Sequence, residues 1–315
     1  MFYLSNAPCS LFMRNLPKLS QLQIFESIIQ HGSFRSAAKT LNQAQPALTR
    51  AINELEKTLG TSLMVRGPKG VVLTEAGQLL EPRIQLILRE LERAVNEVEQ
   101  VSYSSRGSVA LGSSSLPFFT MLPAAIKRFQ KRFPQVNIYL TEGQIPELLS
   151  DIRHGKLDFA IGTTGAEAVA GDFITEPFFT ASFCVLARKE HPLAQSTSLE
   201  QLEEAKWYLP GENQGYHSQL TPLLFPKPHH PYTVVRGDTI TAGLQMVFDA
   251  DFLIVASKEM LKVPYLKDHL CTLPLEKPLP DATYHFIYSQ RLPLTLVARK
   301  LMDKLQWECK NYVWN

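Results

Sequence analysis

The 315-residue chain has only four cysteines, Cys9, Cys184, Cys271 and Cys309, set far apart and with no CxxC pair. That spacing excludes a paired-cysteine metal site or a disulfide framework and suits thiols kept in a reducing cytoplasm. A run of about 20 apolar residues, the length a membrane helix needs, is missing, so no membrane partner is expected. No charged side chain precedes Arg14, which excludes the basic n-region of a signal peptide. Residues 1–15 read as a short extension, with Met13 an alternative start. Charge of one sign is also scarce, the net being +2. Its distribution is uneven. From Arg14 to Glu75 eight Lys/Arg stand against four Glu, whereas from Gly107 onward 20 basic residues meet 21 acidic ones. The positive excess at the front is a modest footprint for nucleic acid. At 45% hydrophobic and 20% charged residues, the rest is ordinary folded protein, long enough for two or three domains.

Residues 16–74 read as three helices and a hairpin. Leu19, Leu22, Phe25, Ile28 and Ile29 recur at helical spacing up to Gly32. Ser33 is an N-cap for a second helix, Phe34–Leu41, whose Ala37 and Ala38 let a neighbour approach. After the turn Asn42–Gln43–Ala44, Pro46 opens a third helix that Gly60 stops. Two β-prone runs, Leu63–Arg66 and Val71–Leu73, flank Gly67–Pro68–Lys69–Gly70, a hairpin tip. Three helices and a hairpin make a winged helix-turn-helix, with the third helix in the major groove. Gln45, Thr49, Arg50 and Asn53 on its leading turns are residue types that bond base edges and phosphates. The plainer alternative is a small helical bundle with one polar face.

Residues 75–106 predict a long linker helix. Leu80, Ile84, Ile87, Leu91, Ala94, Val98 and Val101 form a heptad seam. About 45 Å of one-sided helix needs a partner, and a second copy of the chain fits best; packing on its own chain is the alternative. Pro82 interrupts the first turns.

From Gly107 onward strand and helix signals alternate, predicting mostly parallel sheets flanked by helices, in two lobes. Ligands of such sheets bind at the carboxyl ends of strands. Ser113, Ser114, Ser115 and Thr163 fall there, and their hydroxyls and nearby N–H groups suit a small anion.

On these residues the chain resembles the LysR-type transcriptional regulators from about Leu16 onward. The motifs are Gly32–Ser33–Phe34, Ala37–Ala38, Gln45–Pro46–Ala47–Leu48–Thr49–Arg50, Leu55–Glu56, Leu59–Gly60 and Ala76–Gly77. Further on come Leu111–Gly112, Phe133–Pro134, Leu157–Asp158–Phe159–Ala160–Ile161–Gly162 and His191–Pro192–Leu193. The resemblance implies an α+β multidomain protein: a winged helix-turn-helix DNA-binding domain (16–74), a linker and dimerisation helix (75–106) and a two-lobed α/β, periplasmic-binding-protein-like effector domain (107–315). Lobe I is expected at about 107–162 and 269–315, lobe II at about 163–268. It implies Ser33, Arg35, Gln45, Pro46, Thr49, Arg50 and Asn53 on promoter DNA, with Arg66 and Lys69 flanking the wing. It also implies Ser113, Ser114, Ser115, Gln144, Thr163 and Tyr216 around a small-molecule inducer. Leu80, Ile84, Ile87, Leu91 and Val98 would carry dimerisation within a homotetramer that works with RNA polymerase. No cofactor or metal is implied.

Four departures from the family pattern stand out. Ala44 occupies a usual serine position, Met64 a common phenylalanine and Asn53 a frequent basic residue, while Ala250–Asp251–Phe252–Leu253 replaces a glycine-rich stretch. The rivals are a transport solute-binding protein, opposed by the helix-turn-helix and the missing signal peptide, and an enzyme. Against the latter, His154, Asp158, Cys184, His191, His217 and Asp238 have no triad, metal or nucleotide-loop spacing. His229–His230, between prolines, is a weak metal motif.

Overall fold

The computed structural model describes residues 16–67, 70–102, 106–164, 171–211, 216–225 and 233–314. The expected extension 1–15, Lys69 and the His229–His230 pair lie outside these. The chain divides into two compact units, Met1–Glu92 and Arg93–Asn315. Among the described residues no helix is long and apolar enough to cross a membrane.

The first unit contains α1 (Leu19–His31), α2 (Phe34–Thr40), α3 (Gln45–Leu59), β1 (Met64–Gly67), β2 (Gly70–Leu73) and the start of α4 (Glu75–Ser102). Phe25, Ile28, Leu48, Ile52, Leu55, Leu63 and Ile84 are almost wholly buried together. Each such side chain contributes roughly 1.5–3 kcal/mol on leaving water. Gly32 and Gly60 close α1 and α3 at φ 68° and 73°, a left-handed conformation that glycine adopts without strain. The Ser33 hydroxyl caps α2 by accepting from the Ser36 N–H at 3.1 Å. The antiparallel hairpin β1–β2 is pinned to the α1–α2 corner, since the Val71 N–H donates to the Gly32 carbonyl at 3.0 Å. The carboxylate of Glu56 accepts from the Leu63 N–H at 2.7 Å, tying α3 to the wing.

The helix α4 runs unbroken through Pro82. Its apolar stripe divides in two. Leu80 and Ile84, both expected in a dimer seam, instead pack into the winged-helix core with Leu88. The hairpin and α1–α3 leave that core open on one side, and the start of α4 closes it. Ile87, Leu91, Val95 and Val98 farther along are exposed in the single chain.

The second unit has two five-stranded sheets. The first orders β4 (Gln135–Glu142), β3 (Arg106–Ser113), β5 (Phe159–Gly162), β12 (Ala282–Ser289) and β6 (Phe173–Ala181). The second orders β11 (Leu270–Thr272), β7 (Phe183–Arg188), β10 (Phe252–Ser257), β8 (Lys206–Leu209) and β9 (Val234–Arg236). Both sheets are mixed rather than mostly parallel. The pairs β3–β4, β3–β5, β8–β9 and β8–β10 are parallel, while β12 and β7 run antiparallel to both of their neighbours. Those two antiparallel strands sit where the chain has crossed from the other lobe rather than returned through a helix.

The crossings also move the expected lobe boundaries. Phe173–Ala181 pairs with β12 in lobe I, not lobe II, and Leu270–Thr272 pairs with β7 in lobe II, not lobe I. Lobe II therefore begins at β7 and ends with β11. Pro177 lies within β6, which is tolerated because β6 is an edge strand. The helices of lobe I are α5 (Leu116–Phe119), α6 (Leu122–Arg132), α7 (Ile145–Arg153) and α11 (Leu296–Asn311); lobe II carries α8 (Tyr216–Leu224), α9 (Ile240–Ala250) and α10 (Pro264–His269). Phe159, Phe286 and Leu301 of the first lobe share a continuous core with Val185, Trp207 and Leu253 of the second.

Asp251 explains one sequence departure. It closes α9 at φ 57°, the left-handed position a glycine-rich stretch would fill, which Asp tolerates better than most residues. Its carboxylate accepts from Arg188 Nε at 2.6 Å. That bond holds the Asp251 carboxyl below its ordinary range.

Candidate DNA-reading face and inter-lobe cavity

Amphipathic α3 buries Leu48, Ile52 and Leu55 and turns Gln45, Pro46, Arg50 and Asn53 to solvent. Thr49 is half-buried on the same side, its hydroxyl donating to the Gln45 carbonyl at 3.2 Å. Pro46 sits in the first turn, where a missing N–H costs nothing. Ala44 at the N-cap provides no side-chain cap; Pro46 has no N–H and the Ala47 N–H donates to the Ala44 carbonyl at 2.8 Å, so in the first turn the Gln45 N–H is the donor left for an acceptor such as a phosphate. Arg35 is exposed at the start of α2. Arg66 lies on β1 opposite Val71. Helix, open N-terminus and hairpin thus belong to one small rigid unit.

In the second unit a cavity of about 120 Å³ opens between the lobes. That volume is below the range of drug-sized ligand pockets, so it suits a small ligand. Lobe I lines it with Ser114 and Ser115 after β3, with Glu142 at the end of β4, Gln144 and Ile145 at the start of α7, and with Thr163 after β5. Lobe II adds Tyr208, Tyr216, His217, Asp238, Thr239 and Ser257. Of the six expected effector residues, Ser114, Ser115, Gln144, Thr163 and Tyr216 therefore come together. Ser113 does not line the cavity. It is fully buried, and its hydroxyl donates to the Ser114 carbonyl at 2.9 Å. Successive strand residues face opposite sides of a sheet, so 113 and 114 do not share a face.

The cavity walls are ordered by local bonds. Tyr216 donates its hydroxyl to the Pro280 carbonyl at 2.6 Å, and Tyr208 donates to the Thr239 carbonyl at 2.9 Å. Tyr284 lies against the Ser114 hydroxyl, which has no other hydrogen bond among the described residues. Burial raises the Tyr216 and Tyr284 phenols, keeping both protonated as donors. Burial also lowers His217 to about 4, so it is a neutral imidazole near pH 7. Loss of hydration raises the Glu142 carboxyl. Among the described residues burial pushes the Cys184 thiol up to about 12 and that of Cys309 to about 11, and raises Cys271 as well, which keeps them protonated. No group of three His, Cys, Asp or Glu among the described residues could hold a metal.

Sequence reading missed Tyr208, Asp238, Thr239, Ser257 and Tyr284 as cavity residues. A signal existed for some of them. Gly237–Asp238–Thr239 follows the carboxyl end of β9, as Ser114 follows β3, so the same strand-end rule points to it.

A winged helix-turn-helix joined through one long helix to a two-lobed α/β domain defines a DNA-binding transcription regulator with an effector-binding domain. The chain belongs to the LysR family. Residues 19–78 match the bacterial regulatory helix-turn-helix protein, lysR family, and residues 103–310 match the LysR substrate binding domain. The chain is 36% identical over 288 residues to the HTH-type transcriptional regulator TdcA of Escherichia coli (strain K12), covering 91% of this chain and 92% of that one. It is 26% identical to the hydrogen peroxide-inducible genes activator of Dickeya chrysanthemi over 290 residues, 91% of this chain and 94% of the relative. Among solved structures, full-length CbnR complexed with its target DNA superposes with a TM-score of 0.70 at 16% identity, covering 92% of this chain and 99% of that one, a likeness of fold.

Proposed function

We propose that this regulator binds promoter DNA through the leading turn of α3 and switches when a small polar effector occupies the inter-lobe cavity. The observation that carries the proposal is the convergence of Ser114 and Thr163 from one lobe with Tyr216 and Thr239 from the other on a single small cavity. Gln45 reads a base edge, Arg35 and Arg50 hold phosphates, and Ser33, Pro46, Thr49 and Asn53 complete the face, with Arg66 and Lys69 at the wing. An anionic group on the effector would meet the hydroxyls of Ser114, Ser115 and Thr163 and the helix starts at Gln144–Ile145 and Thr239–Ile240.

Ile87, Leu91 and Val98 on α4, with Val95, pair two chains, and dimers assemble into a homotetramer that acts with RNA polymerase in the cytoplasm. At 100° per residue these four side chains fall within roughly 80° of arc, a stripe wide enough for a helix–helix seam. The protein is a binder, not an enzyme. Thiol oxidation is a poorer trigger than ligand binding, because burial holds Cys184, Cys271 and Cys309 as thiols.

The test is a mobility-shift titration of promoter fragments at low ionic strength, with and without candidate metabolites. Effector dependence should vanish in Thr163→Trp while promoter binding persists. A Thr163→Trp protein that still responds would displace the cavity from its role.

A further inference from the structure

The cavity wall has an unbalanced charge. Glu142 and Asp238 line it, one from each lobe, and no lysine or arginine does so among the described residues. Neither carboxylate is held in an ion pair among those residues. Of the nearest cations in sequence, Arg236 donates to the Pro210 carbonyl at 3.1 Å, and Lys258 is exposed and acts on the Cys184 thiol. Among the described residues His217 is the one remaining basic side chain in the wall, and burial keeps it neutral.

A simple carboxylate or phosphate entering here would meet two negative groups and no side-chain cation, an arrangement that disfavours it by like-charge repulsion. We propose that the effector carries an ammonium group, placed beside Glu142 and Asp238, with any carboxylate it bears turned to the Ser114, Ser115 and Thr163 hydroxyls. The geometry supports such a division. Gly211 lacks a side chain where a Cβ would collide with Asp238 Oδ1, and the Gly211 N–H instead holds that oxygen at 3.2 Å. One oxygen of Asp238 is thereby fixed, while the other accepts no hydrogen bond among the described residues and can take a donor. Among the described residues no cation neighbours the exposed Glu142, and an incoming ammonium would supply one. This inference rests on the cavity being the effector site, and it adds the ligand's chemical class.

The experiment compares a matched series on the unaltered full-length chain: butyrate, 2-aminobutyrate and propylamine, by thermal shift and calorimetry. Binding is expected for 2-aminobutyrate, for propylamine if the ammonium suffices alone, and not for butyrate. Glu142→Gln and Asp238→Asn, each checked for an unchanged melting profile without ligand, should each weaken that binding by about tenfold or more. The ammonium assignment is overturned if butyrate binds as tightly as 2-aminobutyrate, if both amide variants retain full affinity, or if neither amine binds. Butyrate binding that Thr163→Trp abolishes would overturn the ammonium assignment and leave the cavity as effector site. Amine binding that survives Thr163→Trp would overturn the cavity reading itself.

Discussion

Gln144 of the first lobe donates its carboxamide to the main-chain carbonyl of Asp238 in the second, at 2.9 Å. Both residues line the cavity, so the bond is a latch across it. Main-chain geometry fixes the acceptor, because Asp238 directly precedes Thr239, whose hydroxyl caps α9 by accepting from the Ala242 N–H. A ligand that strengthens this closed arrangement shifts the lobes toward it by the difference between its affinities for the two states.

Gln144→Ala should therefore favour the open lobes. One net hydrogen bond is worth about 1 kcal/mol, or roughly a fivefold loss of effector affinity. Hydrogen exchange should quicken at residues 238–240, with the winged-helix unit unaffected. Unchanged exchange and affinity would show that the latch carries no weight.

Substitutions on α3 should separate sequence reading from charge. Gln45→Ala should cost about 1–3 kcal/mol at one base position and relax preference there. Arg50→Ala should weaken all duplexes alike and flatten the salt dependence by about 0.9 in the log–log slope. Fluorescence anisotropy on matched and scrambled fragments at several salt concentrations distinguishes the two.

The stripe of α4 should answer differently at its two ends. Ile84→Ala opens a hole in the winged-helix core and should cost about 2–5 kcal/mol of that unit's stability, with the dimer constant unmoved. Leu91→Glu leaves the core intact and should weaken self-association at least tenfold by sedimentation equilibrium, about 1.4 kcal/mol or more.

Acid should destabilise the effector domain partly through His217. Its folded value, about 4, lies below the ordinary 6.5. The unfolded chain thus binds the extra proton first, so the contribution is full above pH 6.5 and is lost as pH falls from 6.5 toward 4. His217→Gln should flatten the melting temperature in that window relative to the unaltered chain. An identical pH profile would contradict the burial of the imidazole.

The winged helix was legible in the sequence because its signals are local. Ser33, Gly32 and Gly60 mark helix ends, and Leu48, Ile52 and Leu55 mark one face. The α4 stripe was legible as a stripe but not as two, because periodicity shows that a face is buried and not which surface covers it. Strand β6 was hidden by Pro177, and α8 lacks a capping signal strong enough to announce it. The cavity was half legible. Ser114 and Thr163 follow from strand ends, whereas Tyr208 and Tyr284 reach it from separate stretches of chain through contacts no local pattern encodes.

Lobe II is an insertion within lobe I: the chain leaves after β6, passes through Ser182 into β7, and returns only at β12. Strand β12 is the one that joins β5 to β6. A ribosome therefore finishes every strand of the inserted lobe before it supplies the piece that closes the first. A polypeptide terminated ahead of Ala282 would keep a whole second sheet yet have a gap in the middle of the other, leaving nascent β5 and β6 to wait unpaired on that side until the last tenth of translation.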